Sequence, residues 1–335
     1  MAAPSGFDVT DEYMHKPTDH PQFNESMYFN FVDGKSGFAT LIRMGNRANE
    51  GHAEVTVLLY MPDGGAAFHF ERADIKDNSA FNSAGLRFEI VEPFKRSRVT
   101  FGGNLRMMRH GTELEDPKKV FAENPLKRVA IAFDYEDVVP MFGLGGGDSR
   151  GSGIAGAEDS IATGHYQGPC RVSGTITIDG EVRTLAGLGY RDHSWGPRVW
   201  QGPAYWRWVC GIADEKNAFI GWLAKIGDKR PPDRGVVLRD GRLSYVERIE
   251  LESSYGPKPH YPETMRMTLH TVDGSTHRVS GRSLNLVPLR NRRDGEVARL
   301  AELVCCYDFD GLTAYGISEY HDRMTGGVPA GMHEV

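Results

Sequence analysis

The sequence predicts an all-β protein with two antiparallel β-barrel or β-sandwich domains in tandem. The first observation behind this is the dipeptide Asp-Gly, which occurs seven times. A type I′ turn needs positive φ at both central residues, so Asp-Gly between apolar segments is a strong hairpin signal. The seven are Asp33-Gly34, Asp63-Gly64, Asp179-Gly180, Asp240-Gly241, Asp273-Gly274, Asp294-Gly295 and Asp310-Gly311.

The second observation is apolar and polar alternation with the period of two that is typical of half-buried strands. Residues 127–135 show it most clearly, because Val129, Ile131, Phe133 and Tyr135 share one face. Sequential antiparallel strands with one apolar face favour a closed barrel or a sandwich. In chain order we predict strands at residues 27–32, 37–43, 54–61, 66–71, 86–91, 98–101, 127–135, 205–212 and 218–225, and one or two helical turns at 295–303. Residues 170–184 are predicted to form a hairpin, further hairpins turn at Asp240-Gly241 and Asp273-Gly274, and the segment 302–321 closes the second domain.

Four regions follow from this pattern. We predict a polar N-terminal arm at residues 1–24, a β domain at 25–142, a Gly-rich linker at 143–163 and a second β domain at 164–335. The linker contains Gly151-Ser-Gly-Ile-Ala-Gly156, which spells G-x-G-x-x-G. A dinucleotide fingerprint has to leave a strand and open a helix, and neither element is predicted there, so we interpret the glycines as linker.

Composition excludes several classes of partner. The chain has 335 residues, 40% of them hydrophobic and 25% charged, with a formal net charge of −6. This charge argues against nucleic acid and against an anionic membrane surface. No N-terminal signal peptide and no transmembrane segment is recognised. We expect a cytoplasmic protein, a monomer or homodimer, whose partner is a hydrophobic small molecule.

Neither cysteines nor histidines show the spacing of a metal site. Cys170, Cys210, Cys305 and Cys306 fit no redox or metal motif, and we expect reduced thiols. The 12 histidines include no H-E-x-x-H pair. The sequence therefore predicts neither a metal nor an organic cofactor.

The segment Gly187-Leu-Gly-Tyr-Arg-Asp-His-Ser-Trp-Gly-Pro-Arg198 concentrates the residues that can do chemistry. If it is a strand, Arg191, His193 and Trp195 share one face, and Asp192 lies on the other. Either a bulge re-aims Asp192 or His193, or one of them faces the ligand while the other anchors the strand.

This segment carries a resemblance to a known family, together with Val172-Ser-Gly-Thr-Ile-Thr-Ile-Asp-Gly180 and Tyr315-Gly-Ile-Ser-Glu-Tyr320. It resembles the AttH-like or hydroxyneurosporene-synthase group, which includes carotenoid 1,2-hydratases and is similar in fold to tocopherol cyclase and fungal Diels–Alderases. The resemblance covers about residues 165–325. Ser194 stands where the hydratases tend to have Asn. The chain also has no clear match to their downstream proton-donating aspartate, and Trp222 and its neighbours stand near that position.

The resemblance implies two lipocalin-like barrels with a pocket, in or between them, for an isoprenoid, steroid-like or polycyclic molecule. It implies acid-initiated hydration, cyclisation or pericyclic chemistry without an organic cofactor. The family's motif Asp, His and Trp fall on Asp192, His193 and Trp195.

We therefore predict that His193 and Asp192 transfer protons, although a purely structural Asp–His hydrogen bond is the alternative. Aromatic faces can stabilise a carbocation, and an acidic ligand group could pair with a guanidinium. Glu319 and His321 share a strand face and form a second acid/base candidate, while Gln167 and His165 could reach the pocket mouth. The predicted substrate-binding residues are Tyr190, Arg191, Trp195, Arg198, Gln167, Trp206, Trp208, Trp222, Glu319 and His321.

Two functional hypotheses lead. The first is a cofactor-independent hydratase, lyase, isomerase or cyclase that acts on a terpenoid, steroid-like or polycyclic aromatic compound. The second is a lipocalin-type carrier that binds such a ligand without turnover. A scaffold with a filled barrel and no ligand is a third.

Overall fold

The computed structural model describes residues 6–144 and 161–334. Strands make up 66% of the structure and helices 6%, so the predicted all-β class is confirmed. The described residues fall into two compact units, one built from residues before Val199 and the other from Val199 onward. The G-x-G-x-x-G segment and most of the predicted linker lie outside the described residues.

The first unit is one antiparallel sheet. Its order is β4-β3-β2-β1-β11-β10-β8-β7-β6-β5, with β9 against β10, and a short pairing of Ala66–Phe68 with Arg106–Met108 also joins β4 to β7. The helix α1 (Pro117–Glu123) and three short 3-10 helices, at Val9–Glu12, Ala48–Glu50 and Gly111–Glu115, complete the unit. The strands are β1 (Phe23–Val32), β2 (Ala39–Arg47), β3 (His52–Tyr60), β4 (Ala66–Asp74), β5 (Asn82–Ser83), β6 (Leu86–Glu92), β7 (Arg96–Met108), β8 (Leu126–Asp137), β9 (Phe142–Leu144), β10 (Gly164–Ile178) and β11 (Glu181–Pro197).

The second unit is a closed eight-strand barrel. Strands β12 to β19 follow one another in chain order, β12 also pairs with β19, and β20 adds to β19. The strands are β12 (Pro203–Asp214), β13 (Asn217–Ile226), β14 (Arg234–Arg239), β15 (Arg242–Tyr255), β16 (Pro262–Thr271), β17 (Thr276–Arg293), β18 (Glu296–Phe309), β19 (Leu312–Thr325) and β20 (Val328–Pro329).

The strand pairing differs from the predicted domain boundary. Strand β10 pairs with β8, and β11 pairs with β1, so residues 164–197 complete the first sheet instead of starting the second domain. The Gly-rich segment at 143–163 therefore leads from one strand of the first sheet to another. Composition alone suggested a boundary there, because a glycine-rich connection within a domain and one between domains have the same sequence character.

The helical turns predicted at residues 295–303 are also wrong. This segment begins β18, which pairs with β17 on one side and β19 on the other. Cross-strand pairing thus overrides the local helical preference, as tertiary context often does.

The Asp-Gly prediction holds best at four turns. Asp179, Asp240, Asp294 and Asp310 have φ between 47° and 52°, and each is followed by a glycine with positive φ, as a type I′ turn requires. Each of these turns joins two consecutive paired strands. Hairpin positions could therefore be identified from local chemistry.

None of the four cysteines forms a disulfide, as expected for reduced thiols. Among the described residues, no helix combines the length and the apolar character that crossing a membrane requires.

Candidate active site

The motif lies on β11 in the first unit, and its strand is regular. From Leu188 to Pro197 the pairing with β1 keeps one register, and β10 pairs without a shift on the other edge. No bulge re-aims a side chain, so His193 and Asp192 face opposite sides of the sheet. Of the two alternatives that the sequence left open, the regular strand is the one observed.

His193 lies on the inner side and is fully buried, with 0% exposure. Its Nε2 is 3.0 Å from Oε1 of Glu25, and its Nδ1 is 3.1 Å from the hydroxyl of Tyr166. A carboxylate only accepts hydrogen bonds, so in the neutral imidazole Nε2–H donates to Glu25 and Nδ1 accepts from Tyr166. The two neighbours therefore fix both the ring orientation and the tautomer.

Glu25 joins His193 to a second histidine. Nδ1 of His15 lies 2.7 Å from Oε1 of Glu25, and the backbone amide of His15 also donates to this carboxylate. Asn78 donates to Oε2. The side chain of Glu25 is 0% exposed and that of His15 is 21% exposed. We refer to the two histidines and the glutamate between them as the His15–Glu25–His193 cluster.

Aromatic rings enclose the cluster. The imidazole of His15 stacks on Trp195, with centroids 3.8 Å apart and 11° between the planes. Phe81, Tyr166 and Trp195 each lie within 5.7 Å of the His193 ring. The cluster is thus an ionisable group in apolar surroundings, where electrostatic interactions are stronger than in water.

Burial and hydrogen bonding have opposite effects on the acid and the base. Burial raises the pKa of Glu25, but hydrogen bonds from His15 and His193 outweigh it and leave the pKa below the usual value. Burial lowers the pKa of His15, whereas the hydrogen bond with Glu25 and the proximity of Asp11 raise it overall. The cluster therefore favours a charged carboxylate.

Arg191, also on the inner side, is buried between two carboxylates. It donates to both oxygens of Asp137 at 2.7 Å and to both oxygens of Glu12. Glu12 belongs to the 3-10 helix that precedes His15. The arginine therefore fastens the N-terminal segment to β11 and to the end of β8.

The remaining predicted residues of the first unit lie on the other side of the sheet. Asp192 forms an ion pair with His165, and Gln167 is its direct cross-strand neighbour. Tyr190 has the same strand parity as Asp192. Arg198 follows β11 and donates to Ser194 at 3.1 Å. Asp192 and His193 are consequently not brought together.

Five predicted residues lie in the second unit, on the sheet face opposite to its main core: Trp206, Trp208, Trp222, Glu319 and His321. Cross-strand pairing joins Trp222 to Trp208, Trp208 to Glu319, and Trp206 to His321. The Trp206 ring stacks on His321 at 3.8 Å, and its Nε1 donates to Glu319. The predicted acid/base pair is thus part of an aromatic patch.

The sequence interpretation missed Glu12, His15, Glu25 and Tyr166. The first three lie in or next to the region assigned to a polar arm, and their partners are far away in the chain: Glu25 and His193 are 168 residues apart. One signal was available. Glu25 has the same strand parity as the core residues Met27, Phe29 and Phe31. Extending the predicted strand 27–32 by two residues toward the N-terminus would have placed an acid on its core face.

A family profile described as "Domain of unknown function (DUF7064)" matches residues 8–324. The chain belongs to this family. The DUF7064 match includes Glu12, His15 and Glu25 as well as the motif strand. No curated protein matches the sequence.

Solved structures show the same fold as this DUF7064 chain at low sequence identity. An AttH candidate from Nitrosomonas europaea has a TM-score of 0.54 and 14% identity, covering 92% of this chain and 98% of the other. CghA has a TM-score of 0.54 and 11% identity over 93% and 90%. Kievitone hydratase from Nectria haematococca has a TM-score of 0.59 and 8% identity over 95% of both chains. The resemblance inferred from the motif is thus supported at the level of fold, while the sequence family is DUF7064.

Proposed function

We propose that this protein is an enzyme that converts a hydrophobic small molecule by proton transfer, without an organic cofactor. The reaction class is hydration or its reverse, isomerisation or cyclisation, and the substrate class is a terpenoid, steroid-like or polycyclic aromatic compound. The observation that carries the proposal is the His15–Glu25–His193 cluster, an ordered acid/base group inside an aromatic shell.

The cost of burial supports a functional role for the cluster. Placing ionisable side chains in an apolar interior costs free energy unless every polar atom is satisfied, and apolar residues of similar size would avoid that cost. Such groups concentrate at functional sites. Tyr166, Glu25 and Asn78 hold the donor and acceptor atoms in fixed directions, as proton transfer requires.

The fold neighbours support the reaction class by analogy. One of them is named as a hydratase, and hydration needs a group that moves a proton to or from carbon or oxygen. Fold alone does not determine function, so the proposal depends on the cluster.

We assign roles to the other predicted residues on the same basis. Trp195 covers the cluster, and Arg191 positions the N-terminal segment that carries His15. Asp192 anchors the outer side of β11 through His165 and takes no part in the proton transfer. The substrate-binding roles of the remaining predicted residues stay part of the proposal: Tyr190, Gln167, Arg198, Trp206, Trp208, Trp222, Glu319 and His321.

A second candidate function is a carrier that binds the same class of ligand without turnover. The complete burial of His193 favours the carrier function. An imidazole that the ligand never reaches would serve only to hold strands together. The two functions differ in whether the bound compound changes.

Incubation with a panel of terpenoid, steroid and polycyclic aromatic compounds, followed by mass spectrometry, separates them. The enzyme proposal predicts that wild-type protein adds water to a compound, removes water from it or rearranges it. The control variant His277→Gln, whose substitution lies in the second unit, should do the same. It predicts no product with His193→Gln. Recovery of a bound but unchanged compound from all three proteins would establish the carrier instead.

A further inference from the structure

We propose that His15, Glu25 and His193 form a binding site for one divalent transition-metal ion, with zinc as the reference ion. The inference rests on the proposed function, because it identifies what the same cluster holds. The donor atoms, one from each residue, all lie within 4.8 Å of one another. They come from the N-terminal segment, β1 and β11.

The donor set matches the chemistry of such ions. Two imidazole nitrogens and one carboxylate oxygen are a common set for zinc in catalytic sites and for non-haem iron(II). Ligand atoms about 2.0–2.2 Å from zinc are roughly 3–3.5 Å from one another. The two nitrogens lie 2.7 and 3.0 Å from Oε1 of Glu25, so small side-chain movements would open the space for an ion.

Each donor residue has an outer partner that orients it. Nε2 of His15, the nitrogen that faces away from the cluster, lies 3.4 Å from Oδ1 of Asp11. With an ion on Nε2 of His193, the proton of the neutral imidazole would move to Nδ1 and donate to the hydroxyl oxygen of Tyr166, while Oε2 of Glu25 accepts from Asn78. Metal-bound histidines usually have their second nitrogen held by a carboxylate or another polar group.

The surrounding charges also favour a cation. Glu12, Glu25 and Asp137 are buried carboxylates, and the arginine that pairs with two of them is Arg191. With neutral imidazoles, these four side chains carry a net charge of −2, from three carboxylates and one guanidinium. Asp11 adds a further carboxylate near His15. A divalent ion would offset most of this excess of negative charge.

The ion has a route in from the N-terminal segment. The side chains of His15 and Asp11 are 21% and 22% exposed, whereas the other two donors are 0% exposed. His15 is therefore the donor that solvent reaches first.

The sequence predicted no metal because the spacing of these three residues matches no metal-binding motif. His15 and Glu25 are 10 residues apart and Glu25 and His193 are 168 apart, which no short motif describes. The site forms only when β1 pairs with β11, where Met27 lies opposite His193.

A metal held by three protein side chains has an open coordination position, as in catalytic zinc sites. At that position the ion would supply a bound water that can lose a proton near neutral pH. That water, rather than the imidazole of His193, would then carry the proton in the proposed reaction.

The test is metal binding, which needs no substrate. Protein without a histidine tag is stripped with a chelator, titrated with Zn²⁺ or Co²⁺, and analysed by elemental mass spectrometry and by Co²⁺ absorption. We expect one equivalent with wild type. We expect at least about 100-fold weaker binding with His15→Gln and with His193→Gln, and about 10–100-fold weaker binding with Tyr166→Phe, which removes an outer partner.

His277→Gln is the matched control. His277 lies 2.7 Å from Asp310, the same distance as His15 from Glu25, but within the described part of the chain no third donor completes a cluster with this pair. Metal binding should therefore be unchanged. His193→Gln removes a fully buried partner and could unfold the protein. His15→Gln, at a side chain that is 21% exposed, is therefore the variant expected to keep its fold, which circular dichroism checks.

The inference is overturned if wild type binds less than one equivalent after dialysis, or if His15→Gln binds as tightly as wild type. Failure of the proposed function looks different. A protein that binds metal but converts no compound retains this inference, and a protein that converts a compound in the presence of chelator, with no metal bound, retains the function alone.

Discussion

At the scale of single residues, Arg191 shows how the motif serves structure as well as chemistry. Its guanidinium is buried against Glu12 and Asp137, and the pair of carboxylates holds the pKa of Arg191 above its usual value even though burial alone would lower it. Three chain segments meet at this one side chain, so β11 and the N-terminal segment are coupled through it.

We therefore predict that Arg191→Met lowers the free energy of unfolding by about 3–5 kcal/mol, because two buried carboxylates lose their partner. Urea denaturation measures the change. Arg171→Met is the control: Arg171 is 54% exposed and its ion pair with Glu136 spans 3.5 Å, so its loss should cost less than about 1 kcal/mol. Equal effects of the two substitutions would contradict the coupling.

Glu12 gives a prediction for acid stability. Burial raises its pKa, but the charge and hydrogen bonds of Arg191 and the amide of Phe94 leave the pKa lower than the usual value of 4.5. A lowered pKa in the folded state contributes stability above the unfolded pKa and loses it as pH falls.

Wild type should therefore lose stability from about pH 5 downward, and Glu12→Gln should show a shallower slope over that range. The measurement is the free energy of unfolding from urea titrations at several pH values. A slope that is unchanged by Glu12→Gln would mean that Glu12 is already protonated in the folded protein.

The sequence located half of the site at this scale. Strand periodicity separated His193 from Asp192 and placed Arg191 and Trp195 beside His193. It could not identify Glu25 or His15, because pairing of β1 with β11 depends on the whole sheet, and a polar stretch such as residues 1–24 resembles a solvated arm when its partners are unknown.

At the scale of elements, the close approach of β11 to β1 determines where His193 lies. A Cβ on Gly189 would come 1.8 Å from the carbonyl oxygen of Asn30, closer than any side chain tolerates. Asn30 in turn accepts the amide proton of Tyr190 through its side chain. The glycine thus allows the close pairing of β11 with β1 that brings His193 to Glu25.

Gly189→Ala should lower the free energy of unfolding by about 1–3 kcal/mol or more, because backbone atoms must shift. The control is Gly102→Ala on β7, where a Cβ would meet nothing within 4 Å. Thermal denaturation of the two variants gives the comparison. A Gly189→Ala protein as stable as Gly102→Ala would show that the strands are not held this closely.

At the scale of the whole molecule, the chain is divided at residue 198 and not at the Gly-rich segment. Strand pairing is a long-range property, and the strands of residues 164–197 were assigned to the wrong sheet because sequence periodicity shows that a strand exists but not which edge it joins. The fold class, most strands and the hairpin turns followed from local chemistry; the sheet membership of β10 and β11 did not.

Fragments test this division. We predict that residues 199–335 fold alone, because their strands close a barrel. We also predict that residues 1–198 fold whereas residues 1–142 do not. In the sheet, β10 and β11 lie between β1 and β8, so the shorter fragment lacks the two strands that join them. Amide dispersion in NMR spectra distinguishes folded from unfolded fragments. A folded 1–142 fragment would restore the boundary that composition suggested.

The most direct test of the central claim is a comparison of kcat and ligand affinity in wild type, His193→Gln and Asp192→Asn, with the first compound that the panel shows to be converted. The claim predicts that His193→Gln lowers kcat by about 10²–10⁴-fold while Kd changes only a few-fold, and that Asp192→Asn, on the outer side of β11, keeps most of the kcat. The claim would be contradicted if His193→Gln had the kcat of wild type, or if Asp192→Asn lost more kcat than His193→Gln.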